Sequence, residues 1–66
     1  MIISDFVEWE LQMFRDKCNF TEDEMQYFNL RAKGKSNVTI ALEMNVSESK
    51  VSTLARKVKR KIIKVL

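Results

Sequence analysis

Histidine and proline are absent from this 66-residue chain, and glycine and cysteine occur once each, as Gly34 and Cys18. With no histidine and a single thiol, neither a Cys/His zinc site nor a Cys–His nucleophilic pair can be assembled within the chain. A lone cysteine excludes an internal disulfide framework, which fits a cytoplasmic setting. So few helix-breaking and chain-reversing residues predict long helices, and one glycine cannot build a phosphate-cradling loop. No apolar run approaches the roughly 20 residues of a membrane span, and the opening MIISDFVEWE lacks the basic region and cleavage site of a secretory signal. The carboxylate neighbours Glu8/Glu10 and Glu22/Asp23 are not at i,i+4 spacing and have no apolar surroundings that would shift a pKa. The expectation is a non-enzyme with no catalytic residue, metal or cofactor and no membrane partner.

What is present is globular: 45% of residues are apolar and 32% charged, too apolar for a disordered chain. The length bounds the fold to one domain over residues 1–66, with a core small enough that a partner subunit would add stability. The charge is uneven. Residues 1–33 carry seven acids and four bases, whereas residues 34–66 carry eight bases and two acids. A basic half of this kind attracts a polyanion; a solvated helix face is the plainer alternative.

Four helices are predicted, near 4–17, 22–33, 37–44 and 48–64. In the first, Ser4 is the candidate cap; Val7, Leu11, Phe14 and Cys18 share one face, while Phe6, Trp9 and Met13 form an adjoining stripe. The second opens on a capping box, Thr21 with Glu24, with Phe20 and Met25 placed for a hydrophobic staple. Its apolar face reads Met25, Phe28 and Ala32, flanked by Tyr27 and Leu30, and Gly34 stops it in a left-handed conformation. Ser36 caps the short third helix, which carries Ile40, Ala41 and Met44. Asn45 and Val46 form a turn, and Ser47 caps the fourth. There Val51, Leu54, Ala55, Val58, Ile62 and Val65 keep a 3.6-residue period while Arg56, Lys57, Lys59, Arg60, Lys61 and Lys64 crowd the remainder. The fold class is therefore all-α: a small four-helix domain in which a tri-helical core containing a helix-turn-helix is joined to an N-terminal helix.

A helix fits the major groove of DNA when its first turns are polar on one side and packed on the other. Ser49, Lys50, Ser52, Thr53 and Arg56 meet the first condition and Val51, Leu54 and Val58 the second. Lys50 or Arg56 can donate to guanine, and serine and threonine to bases or phosphates. Ser47, Lys57 and Arg60 extend this set along the helix. Lys35, Ser36 and Asn37, at the N-terminus of the third helix, are placed to hold a phosphate. Ser36 and Ser47 also read simply as caps, and each of the others as a solvated surface residue.

From Phe20 to Ile62 the sequence resembles the DNA-binding domain of LuxR/FixJ/GerE-type regulators, and its helix-turn-helix is also similar to region 4 of sigma-70 factors. Phe20-Thr21 followed by Glu24 matches the family's opening. Gly34, Ser36, Asn37, Ile40 and Ala41 stand at its spacings, as do Val46, Ser47, Glu48 and Val51 at the turn, and Arg60-Lys61-Ile62 forms the basic close. The resemblance implies transcriptional regulation through double-stranded DNA, with the recognition helix at 48–64 and a core over 20–62. It departs at Arg31, where such helices often carry an apolar residue, and at Leu54-Ala55, which are closer to the sigma pattern. The expectation is that the helix that often pairs such regulators after the recognition helix is missing, and that residues 1–18 form an extra helix. A homodimer is expected through Phe6, Trp9 and Met13 together with Ile63 and Leu66; the alternative is that Trp9 covers the core of a monomer. A protein-interaction adaptor, or a sigma-like module touching RNA polymerase through the acidic half, is the competing function.

Overall fold

A computed structural model describes residues 2–66. A 3-10 turn, Ile3–Asp5, leads into α1 (Glu8–Lys17), α2 (Glu22–Ala32), α3 (Asn37–Met44) and α4 (Glu48–Val65), and no strand occurs among the described residues. The fold class is that expected from the sequence. The helix predicted from residue 4 begins instead at Glu8, and Ser4 does not cap it. Val7 takes the cap position with no side-chain acceptor to offer, and its own N–H donates to the Glu10 carboxylate at 3.0 Å. The break has a packing cause: Ile3, only 2% exposed, is a core residue lying against α2, and the backbone must leave helical geometry to bring it there. Phe6 therefore lies outside α1, half-buried, with its ring edge-on to Phe14 at 4.9 Å. Val7, expected on the buried face, is exposed.

The core runs from Ile3 through Leu11, Phe14 and Cys18 to the inner faces of α2, α3 and α4. Phe28 occupies its middle, with the rings of Phe14 and Phe20 at 6.3 and 5.1 Å. The buried face of α2 is Glu24, Tyr27 and Phe28, while Met25 and Ala32 are half-buried. The sequence reading centred that face on Met25, Phe28 and Ala32; it is turned toward Tyr27 because Glu24 is drawn inward to a partner on α4, described below. Along α4, Val51, Leu54, Val58 and Ile62 are buried at the predicted 3.6-residue spacing.

Three left-handed residues separate the helices. Asn19 (φ 52) follows α1, Gly34 (φ 87) follows α2 and Asn45 (φ 57) follows α3. The last two positions make the same paired closure. Gly34 N–H donates to Arg31 C=O and Lys35 N–H to Leu30 C=O; Asn45 N–H donates to Leu42 C=O and Val46 N–H to Ala41 C=O. These are the crossed bonds of a Schellman end. Arg31, the departure noted above, is half-buried and donates from Nη1 to Lys35 C=O at 2.6 Å, adding a side-chain tie to the same loop. A methyl group added at Gly34 would meet nothing within 4 Å, so only the left-handed backbone penalises a side chain there. Gly34→Ala is expected to lower stability by about 1 kcal/mol, read as a fall in the urea midpoint with an unchanged slope; an unchanged midpoint would mean that the turn is not held left-handed in solution.

Candidate nucleic-acid interface

The site is built by two caps and one helix. Ser36 Oγ accepts the Thr39 N–H at 3.2 Å to open α3, and Ser47 Oγ accepts the Lys50 N–H at 3.1 Å to open α4. Between them, left-handed Asn45 turns the chain, and Ala41 and Val51 are both buried where α3 and α4 pack. Small Ala41 permits the close approach expected of it. With Val51, Leu54, Val58 and Ile62 turned inward, the outward side of α4 carries Ser49, Ser52, Arg56 and Arg60, all exposed, with half-exposed Thr53 among them. Lys50 and Lys57 flank this side and are exposed too. Lys35, Ser36 and Asn37 are exposed or half-exposed at the start of α3, on the loop that precedes it.

These residues differ in how free they are. Among the described residues, no carboxylate lies within ion-pairing distance of Arg56, Lys57, Lys59, Arg60 or Lys64. Lys50 lies 4.0 Å from Asp23 on α2, and Lys35 pairs with Glu43 on α3 at 3.2 Å. Thr53 spends its hydroxyl proton on Ser49 C=O at 3.1 Å, so it faces a partner as an acceptor. Ser36 Oγ donates to Thr39 Oγ1 at 3.0 Å, and Asn37 Oδ1 accepts the Tyr27 hydroxyl at 3.3 Å, leaving its amide to donate outward. Burial pushes the Tyr27 hydroxyl pKa up, and the nearby Arg31 charge only partly offsets this, so it stays a proton donor through the physiological range.

Lys61 behaves otherwise. It turns inward, donating to Asn19 C=O at 3.1 Å and pairing with the Glu24 carboxylate, which is 4% exposed and also accepts the Thr21 N–H at 3.0 Å. One base of the α4 run thus ties that helix to the α1–α2 turn. Sequence reasoning missed this, although Lys61 carries a visible signal: it falls one residue before buried Ile62, on the inner side of the 3.6-residue period. Burial alone would raise the Glu24 pKa. The hydrogen bonds from Lys61 and Thr21, with the Lys61 charge, outweigh it and leave the carboxyl below its ordinary value. A carboxyl lowered in the folded state contributes stability above its unfolded pKa, and that contribution is lost as pH falls through the folded pKa. Glu24→Gln is therefore expected to lower the melting temperature at pH 7 and to flatten the fall in melting temperature below about pH 4.5. Parallel melting curves for the two proteins from pH 7 to 3 would disprove the linkage.

Two helices joined by a left-handed turn, the second with a packed inner face and a polar, basic outer face, define a helix-turn-helix DNA-binding domain. Residues 18–63 match the family model of the bacterial regulatory proteins of the luxR family, GerE, and the chain belongs to that family, one of DNA-binding regulators of transcription. No curated protein and no solved structure matches the chain. Among the described residues no helix is long and apolar enough to cross a membrane.

Proposed function

We propose that this chain is a sequence-specific regulator of transcription that inserts the first turns of α4 into the major groove of double-stranded DNA. The observation that carries this reading is the division of α4: an inner face buried on α2 and α3, and an outer face of Ser49, Ser52, Thr53, Arg56 and Arg60, with one acid, exposed Glu48, at its N-terminal edge. From Ser49 to Arg56 the helix rises about 10 Å, comparable with a groove about 12 Å wide. Arg60 stands about 6 Å further along, so it and flanking Lys57 meet phosphates rather than base edges. Lys50 and Arg56 then read bases, while Lys35, the Ser36–Asn37 helix start and Ser47 hold the backbone that borders the groove.

A single recognition helix reads only a few base pairs, so useful specificity calls for more than one copy on the DNA. Residues 1–66 act as one unit in this reading, the N-terminal segment to Cys18 being built onto the 20–62 core, and the place of action is the cytoplasm. Contact with RNA polymerase through the acidic N-terminal half is the second reading, favoured by exposed Trp9 on the acid-rich α1.

The test is titration against DNA selected from random sequence and against a scrambled control, at several salt concentrations. Selected DNA is expected to bind at least about 10³-fold more tightly, both affinities falling with salt as phosphate contacts release counterions. Equal weak binding to both would overturn the specific reading, and salt-independent binding would overturn the groove geometry.

A further inference from the structure

Four large apolar side chains are more than 60% exposed: Trp9 on α1, Leu42 on α3, and Ile63 and Leu66 at the end of α4. Two of these places match one another. On α1, Trp9, Met13 and Asp16 follow at i, i+4 and i+7 and line a shallow groove on the side of the helix away from the buried Leu11 and Phe14. On α4 and its cap, Lys59, Ile63 and Leu66 follow at the same spacing, all exposed, on the side of the helix that borders buried Ile62. Each stripe is about 10 Å long. Laid antiparallel, Trp9 meets Leu66, Met13 meets Ile63 and Asp16 meets Lys59.

We infer that copies of this chain associate head to tail, the α1 stripe of one on the α4 stripe of the next. Charge decides between this and the pairing of like stripes. Asp16, in no ion pair among the described residues, and Glu8, paired with Arg15 at 3.4 Å, border the Trp9 groove with Lys17 at its edge, whereas Lys59, Arg60 and Lys64 surround Ile63 with no carboxylate in ion-pairing distance among the described residues. Pairing α4 with α4 sets these bases against each other. Pairing α1 with α1 antiparallel sets Asp16 on Trp9. Only the mixed arrangement puts apolar on apolar and acid on base. It also corrects the sequence expectation that Phe6 and Met13 share one free surface with Trp9: Phe6 is occupied by Phe14, and only Met13 borders the groove.

A head-to-tail contact whose rotation does not close into a ring extends along an array of copies, and that open arrangement is the one inferred. Three side chains a side make a contact far smaller than the roughly 800 Å² per partner of a stable interface, so it is weak in solution. On DNA, where neighbours are held at effectively millimolar concentration, it produces cooperative occupancy of adjacent sites. That consequence rests on the DNA-binding reading; the association itself is measured without DNA, so either can fail alone.

The experiment is sedimentation equilibrium of the full chain up to about 1 mM at low salt. Wild type is expected to exceed two chains in average mass without a plateau. Trp9→Ala alone, and Ile63→Ser with Leu66→Ser alone, should stay at one chain with unchanged helix content and melting temperature. Their mixture should stop at two, because one intact stripe remains on each. Asp16→Lys and Lys59→Asp should each weaken association about tenfold and recover when mixed. A wild-type plateau at two chains, a single chain at 1 mM, or a mixture that does not pair would each overturn the inference.

Discussion

Arg56→Ala is expected to weaken binding to selected DNA by about 10- to 100-fold, the 1–3 kcal/mol of one well-placed base contact, while leaving the fold intact. Arg56 is exposed on the outer face of α4 and has no carboxylate in ion-pairing distance among the described residues, so removing it breaks no intramolecular contact and should shift stability by less than about 0.5 kcal/mol. The loss should be largest on selected DNA and small on scrambled DNA. Lys57→Ala and Arg60→Ala, proposed above as phosphate contacts, should weaken both DNAs alike and reduce the salt slope by about 1 each. Lys61→Met, next in the same basic run, is the informative contrast: it removes the same charge but unpairs buried Glu24, so it should destabilise the fold before it affects DNA. Measuring affinity and urea midpoint for the four proteins separates these outcomes. Equal losses for Arg56→Ala on selected and scrambled DNA would remove Arg56 from base recognition.

Phe28→Ala is expected to unfold most of the protein. Its side chain is fully buried at the meeting point of α1, α2 and the α1–α2 turn, with the Phe14 and Phe20 rings at 6.3 and 5.1 Å and the Arg15 guanidinium 5.6 Å from its ring centre. Truncating a buried phenylalanine costs about 3–5 kcal/mol through lost transfer energy and the cavity left behind. A chain this short holds on the order of 3–10 kcal/mol in all, so the loss takes much or all of it. Arg15 would lose its aromatic platform, though it keeps the bond from Nε to Asn29 Oδ1 at 2.9 Å. Circular dichroism and urea titration give the readout. A midpoint within a few tenths of a molar of wild type would place Phe28 outside the core.

The legible part of this protein lay in residues whose effect is local. Thr21 with Glu24, Ser36 and Ser47 cap the helices they were expected to cap, because a cap is decided within three residues of chain. Gly34 stops α2 in the left-handed region for the same local reason. The inner and outer faces of α4 followed from its period alone, since eighteen residues repeat the pattern through five turns. Asn19 and Asn45 could have been read as left-handed stops by the same logic, asparagine being the commonest such residue after glycine.

Contacts between residues far apart in the chain were decided otherwise. Ser4 and Val7 look like a helix start and a core position, yet burial of Ile3 against α2 breaks the helix before Glu8 and leaves Val7 in solvent. Lys61 looks like its basic neighbours until α4 is laid on α2 and Glu24 comes within reach, 37 positions away. Lys50 and Lys35 meet Asp23 and Glu43 only once the helices are packed. The amino-acid order by itself determined four helices, the caps of the last three and the basic outer face of the last, because each depends on neighbours within a turn or two. Only the tertiary structure decided which bases remain free for DNA and which apolar side chains remain uncovered, because both depend on what the other helices bring alongside.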